Sequence, residues 1–138
     1  MKNIQILKAF YDLWKVDDNL KDIILRSTRI PPGSDVVFPY ALIECEHIEH
    51  VLCSASYLVA RYKVMITIYC EDKVEGAEIS HTVGDLFNYK ISLPVVDGCY
   101  VLGVWADAEN TITDKDLYYG KDVIVVKQSL TLKLSESR

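Results

Sequence analysis

From Asn3 to Lys15 the apolar residues Ile6, Leu7, Phe10, Leu13 and Trp14 recur at helical spacing, with Ile4 and Tyr11 widening the stripe. So broad an apolar face predicts a helix covered by a sheet, another helix or a second subunit. In DDNLKDIIL, Asp18 or Asn19 can cap a short second helix carrying Leu20, Ile23 and Ile24. RIPPGSD ends it, because prolines and glycine continue neither element, and an exposed loop is expected from about Ser27 to Val37.

The period then changes. FPYALIECEHIEHV starts with Pro39, which suits the first residue of a strand, where a missing N–H does least harm. In SASYLVARYKVMITIYCED the even positions Leu58, Ala60, Tyr62, Val64, Ile66, Ile68 and Cys70 are almost all apolar. The odd positions Tyr57, Arg61, Lys63, Thr67 and Tyr69 are amphipathic, so one face packs on a core and the other meets water or a partner. A turn near Leu52–Ala55 makes the two strands a hairpin.

VEGAEISHTVGDLFNYK returns to helical spacing, with Ile79, Val83, Leu86, Phe87 and Lys90 along one stripe and Glu75 and Glu78 near the favourable N-terminal end. Two further strands close the chain. CYVLGVWADAEN carries Tyr100, Leu102, Val104 and Ala106 on one face. DVIVVKQSLTLKL carries Ile124, Val126, Leu130, Leu132 and Leu134 on one face and Lys127, Ser129, Thr131 and Lys133 on the other. TITDKDLYYGK between them reads as a long polar connection holding Tyr118 and Tyr119. The order α, α, β, β, α, β, β predicts one α+β domain over residues 1–138. Its expected sheet is mostly antiparallel and four-stranded, two hairpins packed with an N-terminal and a middle helix.

Composition changes this picture little. Half of the 138 residues are apolar and a quarter charged, the balance of one globular domain. No apolar run approaches the ~20 residues of a membrane span, and MKNIQILKAFYDLW has no signal-peptide core, so export by that route is not expected. A net charge of −5, with lysines scattered, argues against a nucleic-acid reader, which needs a basic face. The four cysteines lack C-x-x-C spacing, and four reduced thiols are expected.

Chemistry is concentrated in CEHIEHVLC, Cys45 to Cys53, with His47 and His50 between the thiols. As a straight strand this segment separates its end thiols by roughly 26 Å, whereas zinc ligands converge at ~2.0–2.3 Å from one ion. Parity also turns His50 away from Cys45 and His47, so the expected reading is a strand with a polar stripe and no metal. His81, with Glu78 and Asp85 one turn away, fits a solvated helix face as well as an oriented imidazole. There is no G-x-S-x-G, P-loop or G-x-G-x-x-G. Asp114, Asp116 and Asp122 do not match a calcium loop, since Lys115 and Lys121 interrupt them. No catalytic residue, cofactor site or metal ligand is assigned.

What remains is contact surface. Tyr57, Arg61 and Tyr69 share the outward face of the long strand, and Tyr118 and Tyr119 lie in the last connection. Tyrosine, tryptophan and arginine are enriched at protein interfaces, and nine tyrosines in this chain favour assembly over catalysis. These five residues are the candidate subunit interface.

The layout of N-terminal helix, Pro-containing loop, FPYALIE, a hairpin with YKVMITIYCED, the helix GAEISHTVGDLF and a final pair of strands resembles small tail-completion or tail-terminator proteins of long-tailed bacteriophages and prophages. The resemblance implies a homo-oligomeric ring, commonly a hexamer, at the head-proximal end of the tail tube. Its implied partners are further copies of itself, the tail tube protein and the head–tail connector, with DNA passing through unbound. It implies assembly in the host bacterial cytoplasm and a place in the virion tail or neck. That family has no active site, so no functional residue carries over. A head–tail adaptor of the same kind of virion and a small metal- or thiol-dependent enzyme stay open as alternatives.

Overall fold

The computed structural model describes the backbone of residues 2–27, 37–53, 57–87, 99–118 and 121–137, and the side chains of all of these but 2, 51–53, 57, 100, 108–118, 121–122 and 136–137. Helix α1 (Lys2–Val16) is followed by β1 (Ile24–Arg26), β2 (Tyr40–Cys53), β3 (Tyr57–Cys70), α2 (Lys73–Phe87), β4 (Cys99–Tyr118) and β5 (Lys121–Ser137). The strands form one sheet in the order β1-β2-β3-β5-β4. Only β1 runs parallel to its neighbour, and every other pairing is antiparallel.

The α+β architecture is as expected, but the sheet has five strands rather than four. The expected second helix is replaced by a series of turns and by β1. Asp17 accepts the Leu20 and Lys21 amides through its carbonyl and the Asn19 amide through its carboxylate. Such local side-chain bonding competes with helix formation. The chain then extends through Ile24–Arg26 beside Tyr40–Leu42. Leu20 is fully buried, and the Trp14 indole donates to the Ile23 carbonyl at 2.9 Å, fixing the turn under α1.

Both helices cover one face of the sheet. Ile6, Phe10 and Trp14 of α1 and Ile79, Val83 and Phe87 of α2 join Ile66, Ile68, Val126, Leu130, Leu132 and Leu134 in one buried cluster. Each fully buried large side chain contributes roughly 1.5–3 kcal/mol of transfer free energy. Phe10 and Phe87 meet with ring centres 4.6 Å apart, which ties the two helices together. Ile4 and Tyr11 do not join the core; they are 74% and 45% exposed. Inside the core, Ser80 donates to the Gln128 side-chain carbonyl at 3.3 Å, so the one inward glutamine of β5 is hydrogen-bonded.

Gly76 lets α2 approach the sheet. A Cβ there would stand 2.6 Å from Cys70 Sγ and 3.0 Å from a Val126 methyl. Gly103 on β4 likewise leaves room for the Trp105 ring, which a Cβ would meet at 2.6 Å.

Two expectations about the last strands are corrected. TITDKDLYYGK is not a connection: β4 continues to Tyr118, with Thr111 opposite Val126 and Tyr118 opposite Lys121. The even face of β4 is also interrupted. Val101 pairs with Leu134 and Gly103 with Lys133, so Leu102 is an extra residue in a bulge and is 46% exposed, while Val104 returns to the core.

Candidate assembly surface and the CEHIEHVLC strand

The sheet face away from the helices is mixed. At one end Tyr40, Leu42, Tyr69, Val123 and Val125 form a second buried cluster, in which Tyr40 and Tyr69 stack with centres 4.7 Å apart and planes 10° from parallel. Further along, Lys63, Glu44, Glu46 and Lys127 surround Met65 and Thr67 in a groove of about 470 Å³. A neighbouring groove of about 350 Å³ is lined by Arg61, Lys63, Met65, Asp107 and Thr131 among others. Two contacts between polar groups are made here: Arg61 with Glu49 at 2.7 Å, and the Thr131 hydroxyl donating to Asp107 at 2.5 Å. Lys133 stands 5.6 Å from the centre of the Trp105 ring. With both partners substantially exposed, the Arg61–Glu49 pair is worth at most ~1 kcal/mol.

Of the five candidate interface residues, the side chains of Arg61 and Tyr69 are described. Tyr69 is on the predicted face but is 6% exposed, covered in the Tyr40 cluster rather than presented outward. Arg61 is half-buried eight residues away along β3, a separation of roughly 26 Å. Tyr57 begins β3 opposite Ser137, and Tyr118 ends β4 opposite Lys121. Their side chains, and Tyr119 entirely, lie outside the described residues, as do most of the Ser27–Val37 loop and the tip of the β2–β3 hairpin. Of the long-strand residues, Lys63 and Met65 belong in the groove-lining set. The period-2 pattern contained that information, but charge and a single methionine gave no reason to choose them.

The edges of the sheet are the other contact feature. β1 covers β2 only at Tyr40–Leu42, and β4 forms the opposite edge. Among the described residues, neither the outer side of β2 beyond Leu42 nor the outer side of β4 pairs with another strand of the chain. Asn3, donating its side-chain amide to the Cys45 carbonyl at 3.4 Å, closes one point of the β2 edge.

CEHIEHVLC is strand, as expected, but the parity argument fails. His47 pairs with Tyr62 and Glu49 with Arg61, so Ile48 is an extra residue; His50 pairs with Ala60 and Leu52 with Val59, so Val51 is another. Each bulge shifts the alternation by one. His47 and His50 therefore lie side by side on the helix-covered side of the sheet, with ring centres 4.9 Å apart and planes at 56°. The Tyr62 ring meets His47 edge-on at 5.1 Å. Cys45 precedes them opposite Val64, half-buried, and burial pushes its thiol up to about 12. Cys70 is buried under α2, with its thiol pushed up to about 11 by burial first and by the nearby Glu75 carboxylate second. Neither thiol is a ready nucleophile. His81 faces solvent beside Asp85 at 3.3 Å, the solvated helix pair considered from the sequence.

No protein-family model matches the sequence, and no curated protein matches it. Among solved structures, a chain of the virion of the native gene transfer agent (GTA) particle is similar, with TM-score 0.75 and 14% identity over 93% of this chain and 92% of that chain. At that identity the likeness is one of fold.

Proposed function

We propose that this protein is a structural component of a phage-like virion, and more specifically a tail terminator or tail-completion subunit. In this reading copies of the chain form a ring, of hexameric type, at the head-proximal end of the tail tube and join it to the head connector. The observation that carries the reading is the fold likeness to a GTA virion chain over nearly the whole length of both. It agrees with the resemblance of the sequence layout to small phage tail-completion proteins.

Two features of the chain support assembly. The open edges of β2 and β4 are at opposite ends of one sheet. An edge at each end suits head-to-tail contact between copies, which closes into a ring when the rotation allows. The grooved face, with Glu44 and Glu46 beside Lys63 and Lys127, offers both charge signs to a partner. A net charge of −5 suits a channel through which DNA passes without being gripped. Size-exclusion chromatography with light scattering tests the ring: the expected mass is a fixed multiple of the chain's, and a strict monomer at the highest attainable concentration counts against it. A protein that binds connector rings but leaves tube ends bare would be a neck adaptor instead.

A further inference from the structure

The bulge at Ile48 in β2 has a chemical consequence. On a regular strand His47 and His50 would point to opposite faces; with Ile48 looped out they are adjacent. An imidazole nitrogen bound at ~2.1 Å places its ring centre about 3.2 Å from the ion. Two rings on one ion then have centres about 4.5 Å apart at a right angle and about 5.2 Å apart at the tetrahedral angle. The 4.9 Å between His47 and His50 lies inside that interval. Their planes are 56° apart, so the rings are not stacked on one another.

We propose that His47 and His50 are the two protein ligands of a divalent transition-metal site of the zinc class. Imidazole is the donor that suits zinc, nickel and copper, and both side chains are exposed, so an ion reaches them without any movement of the core. The buried Tyr62 ring packs edge-on against His47 and limits its orientations before an ion arrives. That reduces the ordering cost of binding. With two protein nitrogens, two positions of a tetrahedral ion stay open to water or to a donor from another molecule. Cys45 is not assigned as a ligand, because it packs against the core cluster while both histidines are exposed. The proposal rests on strand register and ring geometry and is independent of the virion reading.

Tag-free wild-type chain is titrated with Zn²⁺ by calorimetry and with Co²⁺ by absorbance, beside His47→Ala, His50→Ala, Cys45→Ser, Cys53→Ser and His81→Ala variants. The expected result is one ion per chain, with no thiolate-to-cobalt charge-transfer band. Each His47 or His50 variant should bind more weakly by at least the ~10–100-fold that loss of an outer-shell partner costs, and the other three variants should bind as wild type does. Because both histidines are exposed, circular dichroism should show all variants folded. Absence of Zn²⁺ binding to the wild type, binding unchanged by both histidine substitutions, or binding lost with either cysteine substitution would each overturn the assignment.

Discussion

Two glycines in α2 make opposite predictions. At Gly84 an added Cβ meets nothing within 4 Å. Gly84→Ala should therefore stabilise the protein by up to ~1 kcal/mol, the helix-propensity difference between the two residues. At Gly76 the same methyl would stand 2.6 Å from Cys70 Sγ and 3.0 Å from Val126 Cγ2, so helix and sheet must separate by about 0.8 Å to reach ordinary contact. Rotating the sulfur away does not come free. Cys70 is fully buried, and its thiol donates to the Asp72 carbonyl at 3.3 Å and lies 3.6 Å from the Ile124 carbonyl. Overpacking of this kind costs ~1–3 kcal/mol, set against the same ~1 kcal/mol propensity gain. Gly76→Ala is thus expected to be destabilising by up to ~2 kcal/mol net. Thermal unfolding should show Gly84→Ala a few degrees above wild type and Gly76→Ala several degrees below, since ~1 kcal/mol is worth roughly 3–5 °C in a domain of this size. Adding Cys70→Ala removes the obstructing sulfur, so the Gly76→Ala/Cys70→Ala double variant should be more stable than the sum of the singles. Gly76→Ala more stable than wild type, as Gly84→Ala is expected to be, or a double variant that is merely additive, would refute the close approach of α2 to the sheet.

Two further stability predictions follow from the core. Trp14→Phe removes the indole donor to the Ile23 carbonyl and part of a fully buried ring; urea unfolding should show a loss of ~1–3 kcal/mol, the cost of an orphaned buried group. The thiols of Cys45 and Cys70 are pushed up to about 12 and about 11. Above the unfolded thiol value of 9.0 the unfolded chain releases protons that the folded chain keeps, so stability declines as pH rises from there towards 11–12 and is unaffected by these groups below it. Denaturant midpoints measured from pH 7 to pH 11 check the sign, and rapid labelling of Cys45 or Cys70 in the native protein at pH 7.5 would contradict it.

The legible parts of the fold were those with a regular period facing one core. The even face of β3, the inward residues of β5 and the stripes of both helices needed only spacing and polarity to be read. β1 was not legible, because three residues carry no period and their pairing with Tyr40–Leu42 is parallel and remote in sequence. The strand character of Thr111–Tyr118 was not legible, because a polar, charged sequence gives no core-facing alternation. The burial of Tyr69 was not legible, because its face is amphipathic overall while its own end of that face stacks on Tyr40. In CEHIEHVLC the facing of the histidines was not legible, because a bulge adds one residue without changing composition, and Ile48 reverses the parity that a regular strand would give His50.

The role proposed for this chain is assembly at the end of a tail tube. Negative-stain microscopy of the purified protein mixed with tail tubes that lack a terminator tests it directly. The account predicts a ring capping one end of each tube, and tubes of uniform length when the protein is present during their growth. Bare tube ends at saturating protein, together with a particle that stays monomeric in the same mixture, would contradict it.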